Sequence, residues 1–196
     1  MLQDESMPPR RRRRRIPAAT AGVLVLAMAL AGTRPRAMAG DAERADSRQV
    51  KAIFLVNFLS FAEWPSDKLA PPPTRLLIAV LGDPAFAAVV SKAAAGRTVN
   101  GRPIVVQAVD TPEAAAAAHL AFVAGSQSSR LPFVLRALAS AAVLTVSDTD
   151  GFAQEGVAIN LYTFDNRVRI EVNSTAAARA GVHLSANLMR LARIVE

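Results

Sequence analysis

Apolar positions along this chain fall into two kinds of run. Between Val50 and Trp64 they recur at helical spacing: Phe54, Phe58, Phe61 and Trp64 lie four, three and three residues apart, which puts them on one face of a helix. Asn57, Ser60 and Glu63 form a narrow polar stripe that starts at the edge of that face and winds away from it, and Lys51 is the only other polar residue after Val50. A helix this apolar must be covered by sheet, helix or partner. Pro65 is expected to stop it after Trp64, and Gly40–Arg48 ahead of it reads as a polar, frayed leader.

The later runs are short and continuous. Leu76–Leu81, Pro103–Val109, His119–Ala124 and Ala142–Ser147 have strand length, and Pro71–Pro73 forms a stiff connector before the first of them. Asp83-Pro84 reads as an N-cap with proline at the first helical position, opening a helix through Ala94 that ends near Gly96. Asp110 or Thr111 before Pro112 repeats the arrangement ahead of a short alanine helix, and Ser128–Ser140 is expected to be helical. Continuous apolar strands separated by helices predict a single α/β domain with a mainly parallel sheet and helices on both faces. The pattern then alternates. Val157–Phe164 and Arg167–Asn173 flank Asp165-Asn166, predicting a C-terminal β-hairpin with Arg169 and Glu171 outward on one face. Ser174 is expected to cap a helix to Arg179 or Ala180 that Gly181 ends. Ser185 is expected to cap a last helix with Leu188, Leu191, Ala192 and Val195 on its apolar side.

The N-terminus changes the charge picture. Arg10–Arg15, an apolar stretch from Ile16 to Gly32 and Ala37-Met38-Ala39 have the form of a signal peptide over residues 1–39, with the cut expected before Gly40 and the product in the periplasm. The apolar stretch is short for a membrane span. The whole chain holds 23 Lys+Arg and 16 Asp+Glu; residues 1–39 account for eight arginines and two acids, leaving 15 and 14. The exported part is therefore close to neutral, so no nucleic-acid partner is expected. It is one domain by length, about residues 49–196.

Chemistry is sparse. There is no cysteine, hence no disulfide and no thiolate nucleophile. No nucleophile elbow, phosphate loop or metalloprotease helix is present, so no enzyme, cofactor or metal is expected. His119 and His183 read as structural. Ser147 and Asp148 follow a predicted parallel strand, where open α/β sheets bind ligands; the alternative is that Asp148 and Asp83 satisfy turn backbone. Gly82-Asp83 and Gly125-Ser126 are expected on the same edge. Arg102 lies in a turn that is either a partner contact or a solvated loop. Asn57 and Glu63 are placed to bond neighbouring loops or a partner. With Arg169 and Glu171 these are the candidate binding positions.

The first helix resembles the opening of the YfiR family, K-A-x-x-L-x-N-F-x-x-F-x-E-W-P, at Lys51, Ala52, Leu55, Asn57, Phe58, Phe61, Glu63, Trp64 and Pro65. Matches continue in order through Val80-Leu81-Gly82-Asp83-Pro84, Gly101-Arg102-Pro103, Leu144–Asp148, Gly151-Phe152, Ile159-Asn160-Leu161, Val168-Arg169 and Ser185-x-x-Leu188-x-x-Leu191-Ala192. The resemblance implies an exported repressor that binds the periplasmic sensor domain of an inner-membrane diguanylate cyclase, is released through an outer-membrane lipoprotein, and forms a homodimer. A small-molecule-sensing module binding an envelope ligand at the strand ends is the alternative. Relatives commonly carry cysteines at positions that look like Ala79 and Ala118, so any redox control resting on that pair is expected to be missing.

Overall fold

A computed structural model describes residues 36–69 and 74–196. The expected signal segment up to Pro35 and the connector Pro71–Pro73 lie outside the described residues. Residues 39–196 form one compact unit.

Among the described residues, eight strands make one sheet. Its order is β10 (Arg193–Val195), β8 (Arg167–Asn173), β7 (Ile159–Phe164), β6 (Leu144–Ser147), β5 (Leu120–Val123), β2 (Leu76–Leu81), β4 (Arg102–Val109) and β3 (Thr98–Val99). The pairs β2–β4, β2–β5, β5–β6, β6–β7 and β8–β10 are parallel; β7–β8 and β3–β4 are antiparallel. The parallel strands β2, β4 and β5 are each followed by a helical crossover, which covers the sheet on both faces, whereas β6 reaches β7 through the turns of residues 148–158. Helices α1 (Arg36–Phe58), α2 (Pro84–Ala94), α5 (Ser174–Arg179) and α6 (Ala186–Leu191) serve one apolar cluster, where Leu55, Phe58, Phe86, Val90, Ala177 and Leu188 pack on Ile78, Val80, Phe122 and Val146. Helices α3 (Pro112–Ala115) and α4 (Leu131–Leu138) serve the other, where Leu131, Val134 and Leu138 pack with Ala79, Leu81, Ala121 and Val123. Neighbouring residues of β2 thus feed opposite clusters, as strand alternation requires. The mainly parallel α/β sheet expected from the sequence is the fold observed.

Ala79 and Ala118 are fully buried and belong to the same cluster. The positions where relatives carry cysteines are filled here by methyl groups inside packed core.

Local chemistry explains the element ends. Asp83 caps α2, its Oδ1 accepting from Phe86 N at 2.8 Å, and Pro84 needs no partner for a missing N–H. Thr111 caps α3 and Ser185 caps α6. Asp165 and Asn166 adopt φ of 48° and 55°, the left-handed pair that a tight hairpin turn demands.

Four boundaries differ from expectation. Helix α1 stops at Phe58 rather than Trp64: Ser60 and Phe61 bond back in a turn, and Ala62–Glu63 become a short strand, β1, paired with β9 (His183–Leu184). The residue before Pro65 is driven out of helical geometry, and the effect reaches back through this pairing. Gly40–Arg48 is helical, not a frayed leader, because α1 begins at Arg36. Asn173, not Ser174, caps α5 through a 2.7 Å bond from Ala176 N. The last helix ends at Leu191, which is 74% exposed, and the chain turns into β10 alongside β8; edge pairing prevails over a further helical turn.

Candidate functional site

The carboxyl ends of β2, β5 and β6 are where a ligand was expected. Ser147 and Asp148 stand there with Gly82, Asp83, Gly125 and Ser126, so the topology brings these segments together as read from the sequence. The edge is nevertheless occupied by the protein's own side chains. Lys51 Nζ lies 2.8 Å from Asp148 Oδ2. Arg48 Nη2 lies 3.1 and 3.0 Å from the two oxygens of Asp83, and its guanidinium carbon sits 5.1 Å from the centre of the Phe86 ring. Both cations come from α1 one helical turn apart, so the first helix is fastened across the strand ends. Lys51 is 15% exposed and Arg48 40%.

The loops beneath are also closed. Ser126 Oγ donates to Gly82 O at 3.0 Å. Gly82 has φ +84°, and a Cβ there would meet Ser126 Oγ and Gln127 Nε2 at 2.4 Å, so only glycine permits this approach. Ser147 is fully buried: its Oγ donates to Val123 O at 2.8 Å and accepts from Thr149 N at 3.2 Å. It is a bracing residue at a strand end, not a free ligand contact.

Ser147 also begins a row across the sheet. Register places it beside Asn160, Asn160 beside Glu171, and Glu171 beside Arg193. Asn160 Nδ2 donates to Glu171 Oε2 at 3.4 Å, and Arg193 ion-pairs with Glu171 and lies over Tyr162. Glu171 is 4% exposed. The expectation that it faces outward is corrected: strand β10 pairs alongside β8 at this position, and Arg193 compensates the carboxylate, as a buried charge requires. Arg169, on the same face, is exposed.

The remaining candidates lie elsewhere. Asn57 Oδ1 accepts from Arg97 Nη2 at 2.9 Å, tying α1 to the turn after α2. Glu63 and Arg102 line a cavity of about 240 Å³ together with Trp64 and Leu69. The seven candidates therefore occupy four places: Asn57 stands alone, Glu63 shares a cavity with Arg102, Ser147 adjoins Asp148, and Arg169 shares a strand face with Glu171.

The opposite edge, at the amino ends of the strands, is held differently. Trp64 Nε1 donates to His119 O at 3.0 Å, and the two rings meet edge to face at 5.8 Å. Lys68 Nζ donates to Ala116 O at 3.1 Å and Ala141 O at 2.7 Å, carbonyls just beyond α3 and α4, where a cation is favoured. His119 Nδ1 accepts from Leu77 N at 3.1 Å. Burial pushes His119 below its ordinary pKa, and the Lys68 charge adds to this; burial also lowers Lys68, against the Asp67 charge. The structural reading of His119 agrees with this place, whereas Trp64 reads from the sequence only as part of an apolar face and Lys68 carries no signal there. Lys51 did carry one: a lone cation on an apolar helix needs an anion.

Among the described residues, no group of three or more His, Cys, Asp or Glu could hold a metal, and no helix is long and apolar enough to cross a membrane.

The YfiR/HmsC-like family model matches residues 48–193. The chain belongs to the YfiR/HmsC-like family. The match begins at Arg48 and ends at Arg193, so it takes in both the α1 fastening and the Glu171 pair of this YfiR/HmsC-like domain. No curated protein matches the sequence. Among solved structures, an ABC domain from Streptococcus pneumonia in complex with L-Trp aligns at 11% identity and a TM-score of 0.50, over 74% of this chain and 60% of its own. A conserved domain protein from Vibrio cholerae O1 biovar El Tor aligns at 13% and 0.49, over 64% and 56%. The family member thus spans under two thirds of both chains, and the first likeness is one of fold.

Proposed function

We propose that this protein is an exported regulator of cyclic di-GMP signalling that binds the periplasmic sensor domain of an inner-membrane diguanylate cyclase and holds it inactive. The observation that carries this reading is the family match over residues 48–193. Regulation by binding needs no bond chemistry from this chain. It needs a state preference: the repressor binds the inactive sensor better than the active one, and sequestration, by an outer-membrane lipoprotein in this reading, removes that bias. A homodimer is the working unit. Residues 1–39 act as a cleaved export signal.

The test is cyclic di-GMP in the host with this chain deleted, then restored with and without residues 1–39. The level rises on deletion and returns only with the exported form. An unchanged level on deletion would overturn the repressor reading. Sensing of a ligand at the strand ends is disfavoured, because Lys51 and Arg48 already hold the two carboxylates there.

A further inference from the structure

A cavity of about 320 Å³ opens between α4 and α5, near the amino edge of β6. Its apolar lining comes from Leu135, Leu138 and Val143, and two cations from different elements, Arg136 of α4 and Arg179 of α5, line the same space. Among the described residues Arg136 has no hydrogen bond or ion pair, and Arg179 has only a 3.4 Å bond from Nε to Thr175 O, one turn back on its own helix. Glu155 also lines the cavity and pairs with neither.

Position near helix C-termini accounts for each arginine separately. It does not account for both arginines lining one cavity with neither held by an acid. Elsewhere among the described residues Arg48, Lys51, Arg97 and Arg193 each have an oxygen partner, while Arg75, Lys92, Arg167 and Arg169 stand singly on the surface and share no cavity with a second free cation. A guanidinium is built for planar, two-pronged recognition of a carboxylate. The volume is at the small end of ligand pockets.

We infer that the cavity between α4 and α5 binds a small organic carboxylate with an apolar body: the anion on Arg136 and Arg179, the body on Leu135, Leu138 and Val143. This site lies outside the repressor reading and stands whether or not a cyclase is the partner. With two cations against one carboxylate lining it, the cavity favours an anion over an amine.

The experiment is an NMR titration of the purified chain with benzoate, set beside benzyl alcohol, benzylamine and sulfate. Benzoate is expected to shift the amides of Thr145, Ala176 and Ala180 saturably, at least tenfold more tightly than each of the other three. The Arg136→Ala/Arg179→Ala double variant, whose changes are at exposed positions, loses about tenfold or more in affinity. Leu135→Trp, which fills the cavity, abolishes the shifts. Absence of saturation, equal binding of the alcohol, amine or sulfate, or benzoate binding unchanged in the double arginine variant would each overturn the assignment.

Discussion

The two edges of this sheet are closed by different physics. At the carboxyl edge, partly buried ion pairs fasten α1: Arg48 to Asp83 and Lys51 to Asp148. At the amino edge, Trp64, Lys68 and His119 make hydrogen bonds to backbone groups, buried at Trp64 and partly buried at the other two. Exposed ion pairs are weak and screened by salt, whereas bonds to buried backbone leave an unsatisfied group when removed. The carboxyl edge is therefore the reversible closure and the amino edge the permanent one. An open α/β sheet ordinarily leaves its carboxyl edge for ligands; here α1 crosses that edge at Asp83 and Asp148.

Substitutions can break or sharpen this contrast. The largest effect is expected beneath both edges: Phe58→Ala, at 1% exposure, removes packing common to α1 and the sheet and costs about 3–5 kcal/mol in urea unfolding. Next is Trp64→Phe at the amino edge, which removes one of the two donors to His119 O, leaving Leu144 N at 2.9 Å, and costs about 0.5–1.5 kcal/mol. The loss persists in 1 M salt, as the broken bond is uncharged. Lys51→Met at the carboxyl edge costs about 1 kcal/mol or less, and Arg48→Met less again, since Arg48 is more exposed. Both losses fade in high salt. Equal salt sensitivity at the two edges would dissolve the distinction drawn between them.

The smallest effect is a pH slope. The folded pKa of His119 lies below its ordinary value, so the unfolded chain binds the proton more readily. Stability then falls as pH drops through the unfolded value of about 6.5 and flattens below the folded one. Protonating Nδ1 would also remove the acceptor for Leu77 N. His119→Gln is expected to flatten the slope between about pH 7.5 and 5.5 in thermal melts.

Much of this could be read before the structure. The four parallel strands, the caps at Asp83 and Ser185 and the Asp165-Asn166 turn are local chemistry, visible in residue type and order. Strands β1, β3, β9 and β10 were not visible: two or three residues carry no period, and their pairing depends on distant partners. The aromatic series misled at its end, since Phe61 and Trp64 keep helical spacing while lying in a turn and beyond a strand. The candidate site was half legible. Asp83 and Asp148 were correctly brought to one edge by topology, but that α1 would cross this edge and fill it is a tertiary fact. Glu171 shows the same limit: alternation gave its face, and its burial comes with β10 pairing alongside β8 and the Arg193 ion pair.

The alanines at 79 and 118 have a consequence for making the protein. Two methyl groups inside one packed cluster need no oxidant to settle there. A chain stapled by a thiol bond is finished only after an oxidising step, and its yield follows the machinery that supplies one. This chain completes its core by collapse, equally in a reducing or an oxidising medium. Its maturation is uncoupled from the redox state of the compartment that receives it.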